Sequence, residues 1–205
     1  MNYLAHLYLA QPNADSHFGN LLGDFGGNRH VKQMPITVKK ALDNHYLVDK
    51  FTDSHPAIKE AKQYFSAKRK RFASIAIDVV FDHFLIKHWQ NFHQEPLVDF
   101  KQHSYLLLNE RISDMPCTMQ QTVRNMTEND WFKKYETLTG IGLALDNIAK
   151  RIRFANNFSG AVEDIHRHYN ELDALFLAFF PQLINHVNQY ALESSNVKNI
   201  VKLNY

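Results

Sequence analysis

Apolar residues along this chain recur at spacings of three and four, and no run alternates between apolar and polar for long enough to insist on a strand. The pattern predicts an all-α protein with helices near 2–10, 16–25, 36–52, 56–70, 72–93, 96–111, 116–126, 137–154 and 160–190. Pro35, Pro56, Pro96 and Pro116 each fall at or near one of these starts, where a missing N–H does no harm. Pro181 lies inside the last stretch and is expected to kink or divide it. Phe72 to Trp89 differs from the rest in being apolar on nearly all sides, which marks a helix enclosed by protein. The architecture implied is one domain of about nine helices over 1–193, followed by a polar tail over 194–205.

Composition narrows the chemistry. A hydrophobic fraction of 45% with 13% aromatics suits a folded helical body and argues against disorder. Formal net charge is +2, so the overall balance demands no polyanionic partner. The chain shows no base-reading motif, no glycine-rich phosphate loop and no GxSxG elbow; neither a nucleic-acid partner nor serine-hydrolase chemistry is expected. Cys117 is the only cysteine, which excludes an intrachain disulfide and a thiolate metal cluster and fits a reducing compartment. Any metal must therefore be held by nitrogen and oxygen. The apolar opening MNYLAHLYLA lacks a basic leader and is too short to span a bilayer, so a cytoplasmic protein without membrane association is expected.

The enclosed stretch carries the strongest anomaly. Ile75, Asp78, Asp82, Leu85 and Trp89 fall on one helical stripe, placing two carboxylates among large apolar side chains. Such acids repel each other and are costly to desolvate without a positive partner, and a cation is the simplest remedy. His83 follows Asp82 at about 100 degrees around the axis and can converge on the same ion. The competing reading is that these acids cap a helix or pair with Arg or Lys elsewhere. A second row, His45, Asp49 and Asp53, lies at successive spacings of four on one face of the third helix. Asp24 stands before paired glycines in GNLLGDFGG, where a short acid can point into a cleft or simply end a helix. Of the remaining histidines, His55 suits a cap or the surface, and His6, His88, His93 and His103 suit packing or the surface. Glu163 and His166 form a lone ExxH pair, more consistent with surface placement than with a di-metal bundle site. Lys68, Arg69, Lys70 and Arg71 make the strongest basic cluster, a solvated face by default and otherwise a phosphate or acidic-protein contact.

Taken in order, MNYLAHLYLA, GNLLGDF, the His45, Asp49, Asp53 row before Pro56, and IDVVFDHFLIKHW resemble the acyl carrier protein phosphodiesterase family. The likeness is collinear over most of the chain, strong through residue 90 and diffuse after about residue 95. It implies a helical fold distantly like that of the HD phosphohydrolases and a divalent metal, typically Mn2+, with Mg2+, Fe2+ or Co2+ as alternatives. It also implies cleavage of 4'-phosphopantetheine from the serine of holo acyl carrier protein. By position, Asp24, His45, Asp53, Asp78, Asp82 and His83 match the family's acidic and histidine positions; metal binding is expected of Asp24, His45, Asp78, Asp82 and His83, with Asp53 a ligand or just outside and Asp49 a base or imidazole orienter. Asp49, Asp53 and Asp78 are the catalytic candidates. Lys68 to Arg71 become a docking surface for an acidic, phosphopantetheinylated carrier protein. The chain departs from the pattern at Tyr46, where Arg is expected, and at Tyr8, where a second histidine is common. Two rival readings share the metal site: an HD-type nucleotide phosphohydrolase and a non-enzymatic Asp/His metal-binding protein.

Overall fold

Helix α6 (Ala73–Lys87) runs through the middle of the molecule, as its uninterrupted apolar sequence requires, with ten of its residues buried, Asp82 and His83 among them. Phe81, Phe84 and Leu85 each withdraw a full side chain from water, a gain of roughly 1.5–3 kcal/mol apiece. The computed structural model describes residues 1–194, and among these are thirteen α-helices and no strand. Of the expected tail only Ser194 falls within the described residues.

Around α6 stand α1 (Tyr3–Tyr8), α2 (Ala14–Leu22), α3 (Gly27–His30), α4 (Ile36–Ser54) and α5 (Pro56–Ala61) on the N-terminal side of the chain. After it come α7 (Trp89–Phe92), α8 (Leu97–Glu110), α9 (Cys117–Glu128), α10 (Trp131–Lys134), α11 (Leu138–Arg151), α12 (Val162–Arg167) and α13 (Tyr169–Tyr190). The most extensive pairing is α2 on α4, while α13 packs across α4, α5 and α6. Gly19 makes the α2–α4 approach possible: a Cβ there would lie 2.4 Å from the Ala41 Cβ and 2.5 Å from the Val38 carbonyl oxygen. Asn13 caps α2 by accepting from the Ser16 amide at 2.9 Å. Pro35, Pro96 and Pro116 precede α4, α8 and α9, and Pro56 is the first residue of α5.

The all-α expectation holds, and the differences in helix number have identifiable causes. The helix expected over 56–70 ends at Ala61, because the buried Asp164 carboxylate takes both the Ser66 amide (3.1 Å) and the Ser66 hydroxyl (2.8 Å). The stretch 72–93 breaks at His88, whose ring nitrogen meets Asp173 of α13 at 2.7 Å. The last stretch divides at His168, while Pro181 sits within α13 without ending it. Phe176, Phe179, Phe180 and Leu183 are buried on both sides of that proline, so packing outweighs the lost backbone hydrogen bond. Helix α10 went unforeseen; it starts at Asp130, whose φ of 39° is in the left-handed region.

Candidate active site

Asp49 is the hub. Its Oδ2 lies 3.1 Å from His45 Nε2, one turn back on α4, and its Oδ1 lies 3.3 Å from His6 Nε2 on α1. The two imidazoles stack, with centroids 4.2 Å apart. Ligand atoms of His6, His45 and Asp49 all fall within 4.8 Å of one another. The expected face of α4 is therefore real, with Asp53 exposed one turn beyond Asp49.

The neighbours of each group set its charge. His45 Nδ1 donates to the Asn20 carbonyl at 2.8 Å, which directs Nε2 toward Asp49. Burial opposes a charged His45 ring, but Asp49, Asp24 and the Asn20 carbonyl outweigh it and hold His45 above its usual value. Burial also disfavours the Asp49 anion, yet His45 and the Met1 amino group overcome this and hold its carboxyl far below the ordinary range. His6 is completely buried, and burial pushes it down to about 3, so it stands neutral. Although its Nε2 is within ion-pair distance of Asp49, neither ring nitrogen of His6 makes a hydrogen bond among the described residues. A neutral buried imidazole with an uncommitted nitrogen beside a carboxylate has the donor chemistry of a metal ligand.

Asp78 reaches the same place from α6. The Met1 amino group lies 3.3 Å from Asp78 Oδ1 and 3.2 Å from Asp49 Oδ1, placing a positive charge between the two acids. Burial pushes Asp78 up, and the amino group opposes the shift. Asp24 follows α2 in a short 3-10 turn closed by Gly26 at φ 77°. Protein packed about its carboxyl, together with the Asp49 and Asp78 charges, pushes Asp24 up to about 6, although the residue as a whole remains exposed. Gly23, just before it, is a fitted hollow for His45: a Cβ there would lie 2.0 Å from His45 Cδ2 and 2.1 Å from Nε2.

Asp82 and His83 face other tasks. The two Asp82 oxygens accept from the Leu4 and Ala5 amides, each at 3.0 Å, so this acid anchors the first turn of α1 from another helix. That arrangement sets His6, one residue later, against His45. Burial still pushes Asp82 up to about 7. His83 lies on a different face, with Nδ1 2.7 Å from the Tyr135 carbonyl and Nε2 2.9 Å from the Tyr169 hydroxyl. Asp82 and His83, both expected among the metal ligands with Asp78, thus spend their polar atoms on α1, Tyr135 and Tyr169 here, apart from the His6, His45 and Asp49 cluster.

Arg69 is likewise withdrawn from the basic cluster. Only 4% exposed, it bonds Glu163 at 2.9 Å and the Ser159 carbonyl at 3.2 Å and lies 3.5 Å from Asp164. Lys68, Lys70 and Arg71 stay exposed, with the Arg71 guanidinium over the Phe154 ring at 4.8 Å. His55 caps α5 by accepting from the Ala57 amide at 3.2 Å, and Glu163 is held by Arg69 while His166 is exposed. The Tyr46 and His45 rings meet in a T-shaped arrangement with centroids 5.4 Å apart, and the Tyr8 hydroxyl donates to the Phe92 carbonyl at 2.6 Å. His6 is the site residue that sequence reasoning passed over. Its one signal was an imidazole alone in the apolar stretch MNYLAHLYLA.

A family model described as acyl carrier protein phosphodiesterase matches residues 1–183. The chain is 34% identical over 185 residues to the acyl carrier protein phosphodiesterase of Yersinia pestis, covering 90% of this chain and 96% of that one. It is 35% identical over 187 residues to the protein of the same name from Yersinia enterocolitica, with the same coverage, and 29% identical over 193 residues to one from Escherichia coli, covering 94% and 100%. No solved structure matches the chain.

Proposed function

The chain belongs to the acyl carrier protein phosphodiesterase family, and from that premise we propose that it hydrolyses the phosphodiester joining 4'-phosphopantetheine to the serine of holo acyl carrier protein. The observation that carries the reading is the convergence of His6, His45 and Asp49, with Asp78 and Asp24 at the rim. Asp49 and Asp78 keep about a third of their side-chain surface open, at 37% and 35%, so a phosphodiester can reach them.

His6, His45 and Asp49 would hold a divalent cation, Mn2+ being the first candidate, with Asp78 beside them. When bound, such an ion supplies positive charge for the phosphoryl oxygens and acidifies water near neutral pH. The chain's own groups set the rest. The Asn20 carbonyl fixes the His45 ring, and Asp49, paired with His45 and held far below the ordinary carboxylate range, suits a ligand and orienter rather than a base. Asp24, exposed and with its carboxyl near 6, suits the transfer of a proton from the attacking water. Lys68, Lys70 and Arg71 offer an acidic carrier protein a positive surface that speeds encounter more than it tightens binding.

The deciding measurement is mass spectrometry of holo carrier protein incubated with purified enzyme and Mn2+. Loss of the phosphopantetheine mass with wild type and its absence with Asp49→Asn is the expected outcome. No loss with wild type defeats the substrate assignment, and undiminished loss with Asp49→Asn defeats the site.

A further inference from the structure

Glu193 stands close behind the candidate site, although it lies ten positions past residue 183, where the span matched by the family ends. Helix α13 stops at Tyr190, and Ala191 takes a left-handed conformation, φ 45°, that turns the chain back. Glu193 Oε1 then accepts from Asn20 Nδ2 at 2.8 Å. Asn20 is fully buried, and each of its polar groups is used. Its amide nitrogen also donates to the Ser16 carbonyl at 3.1 Å, its side-chain oxygen accepts from Asn44 at 3.0 Å, and its main-chain oxygen accepts from His45 Nδ1 at 2.8 Å.

The bonding capacity of an amide makes this arrangement specific. Asn20 has two N–H groups and three acceptors in reach, the Ser16 carbonyl at 3.1 Å, the Ser16 hydroxyl at 3.3 Å and the Glu193 carboxylate, whose 2.8 Å contact is the shortest. A charged acceptor makes the stronger kind of hydrogen bond, and here it holds a residue whose carbonyl sets the direction of the His45 ring. Asn44 and His45 are consecutive on α4, so a shift of Asn20 moves two attachments of that helix at once. Burial holds the Glu193 carboxyl above its usual range, with the bonds to Ser16 and Asn20 opposing.

We infer that Glu193 is a positioning residue for the phosphodiesterase reaction, acting through Asn20 to hold the His45 imidazole at the orientation in which Nε2 faces Asp49. The inference rests on the proposed function for its kinetic consequence but not for its structural one. Glu193→Ala removes the acceptor, and Glu193→Gln keeps an oxygen at the same reach.

The experiment compares wild type, Glu193→Ala and Glu193→Gln by 15N NMR of the histidine rings in metal-free protein, Mn2+ titration calorimetry, and turnover of holo carrier protein across pH. Expected for Glu193→Ala are a changed His45 tautomer signal, Mn2+ affinity lower by about 10-fold, and kcat lower by a similar factor with KM within about twofold. Glu193→Gln restores all three to within about twofold. Identical ring spectra and Mn2+ affinity in wild type and Glu193→Ala overturn the inference, as do equal losses in both variants, which mark a role in folding alone. Should Glu193→Ala melt too early to compare, Glu193→Asp, one methylene too short, carries the same readouts. A wild type that fails to cleave holo carrier protein defeats the proposed function, while the ring spectra still decide the role of Glu193.

Discussion

His6 stacks on His45 with ring centroids 4.2 Å apart, and the two present their Nε2 atoms to opposite oxygens of Asp49 at 3.3 and 3.1 Å. Replacing His6 by Phe keeps a ring in the stack and removes its nitrogens. Mn2+ affinity is expected to fall roughly 10–100-fold in His6→Phe, with turnover falling alongside and the melting temperature close to wild type. Unchanged Mn2+ binding would mean that His6 only packs.

Gly23 is open to a similar trial from the other side of the ring. Because an added Cβ would sit 2.0 Å from His45 Cδ2, Gly23→Ala must displace the imidazole. A displacement near 1 Å costs about 100-fold in rate, and turnover should fall by that order while circular dichroism stays native.

Asp82→Ala strips the acceptor from the buried Leu4 and Ala5 amides. A loss of about 1–3 kcal/mol per amide is expected in urea unfolding, with the first turn of α1 exchanging its amide protons faster. The carboxyl also carries a pH signature. Its value in the fold is about 7 against an ordinary 3.8, so between those pH values the native protein retains a proton that the unfolded chain has released. Asp82 therefore lowers stability as pH rises through that window, and the fall should flatten in Asp82→Asn. An unaltered slope would assign the effect to other carboxyls.

Within the run Lys68 to Arg71, structure separates two kinds of cation. Removing Arg69 leaves the 2% exposed Asp164 without its buried partner, and Arg69→Ala should unfold about 3–5 kcal/mol more easily. Lys68→Glu together with Arg71→Glu should leave the melting temperature nearly unchanged while raising KM for an acidic carrier protein, an effect that fades with added salt. Equal KM values at low salt would remove this surface from the docking model.

Much of the site could be read from residue spacing. His45, Asp49 and Asp53 share a face because four residues make about one helical turn, and that holds wherever the helix is placed. Asp78 was legible for a second reason, a carboxylate in an apolar stripe. The same signal at Asp82 reports that a buried charge needs a partner without saying whether the partner is an ion or, as found here, two backbone amides.

The sequence by itself determined the helical class, the enclosure of α6, the Pro-marked starts of α4, α5, α8 and α9, and the shared face on α4, since each follows from local periodicity or from a residue's own backbone limits. Only the tertiary structure decided that His6 joins His45 and Asp49, that Asp82 holds α1, that Arg69 is buried, and that Glu193 stands behind Asn20. Each of these is a contact between segments far apart in the chain. Periodicity says which way a side chain points from its own helix, and the packing of the other helices decides what it meets.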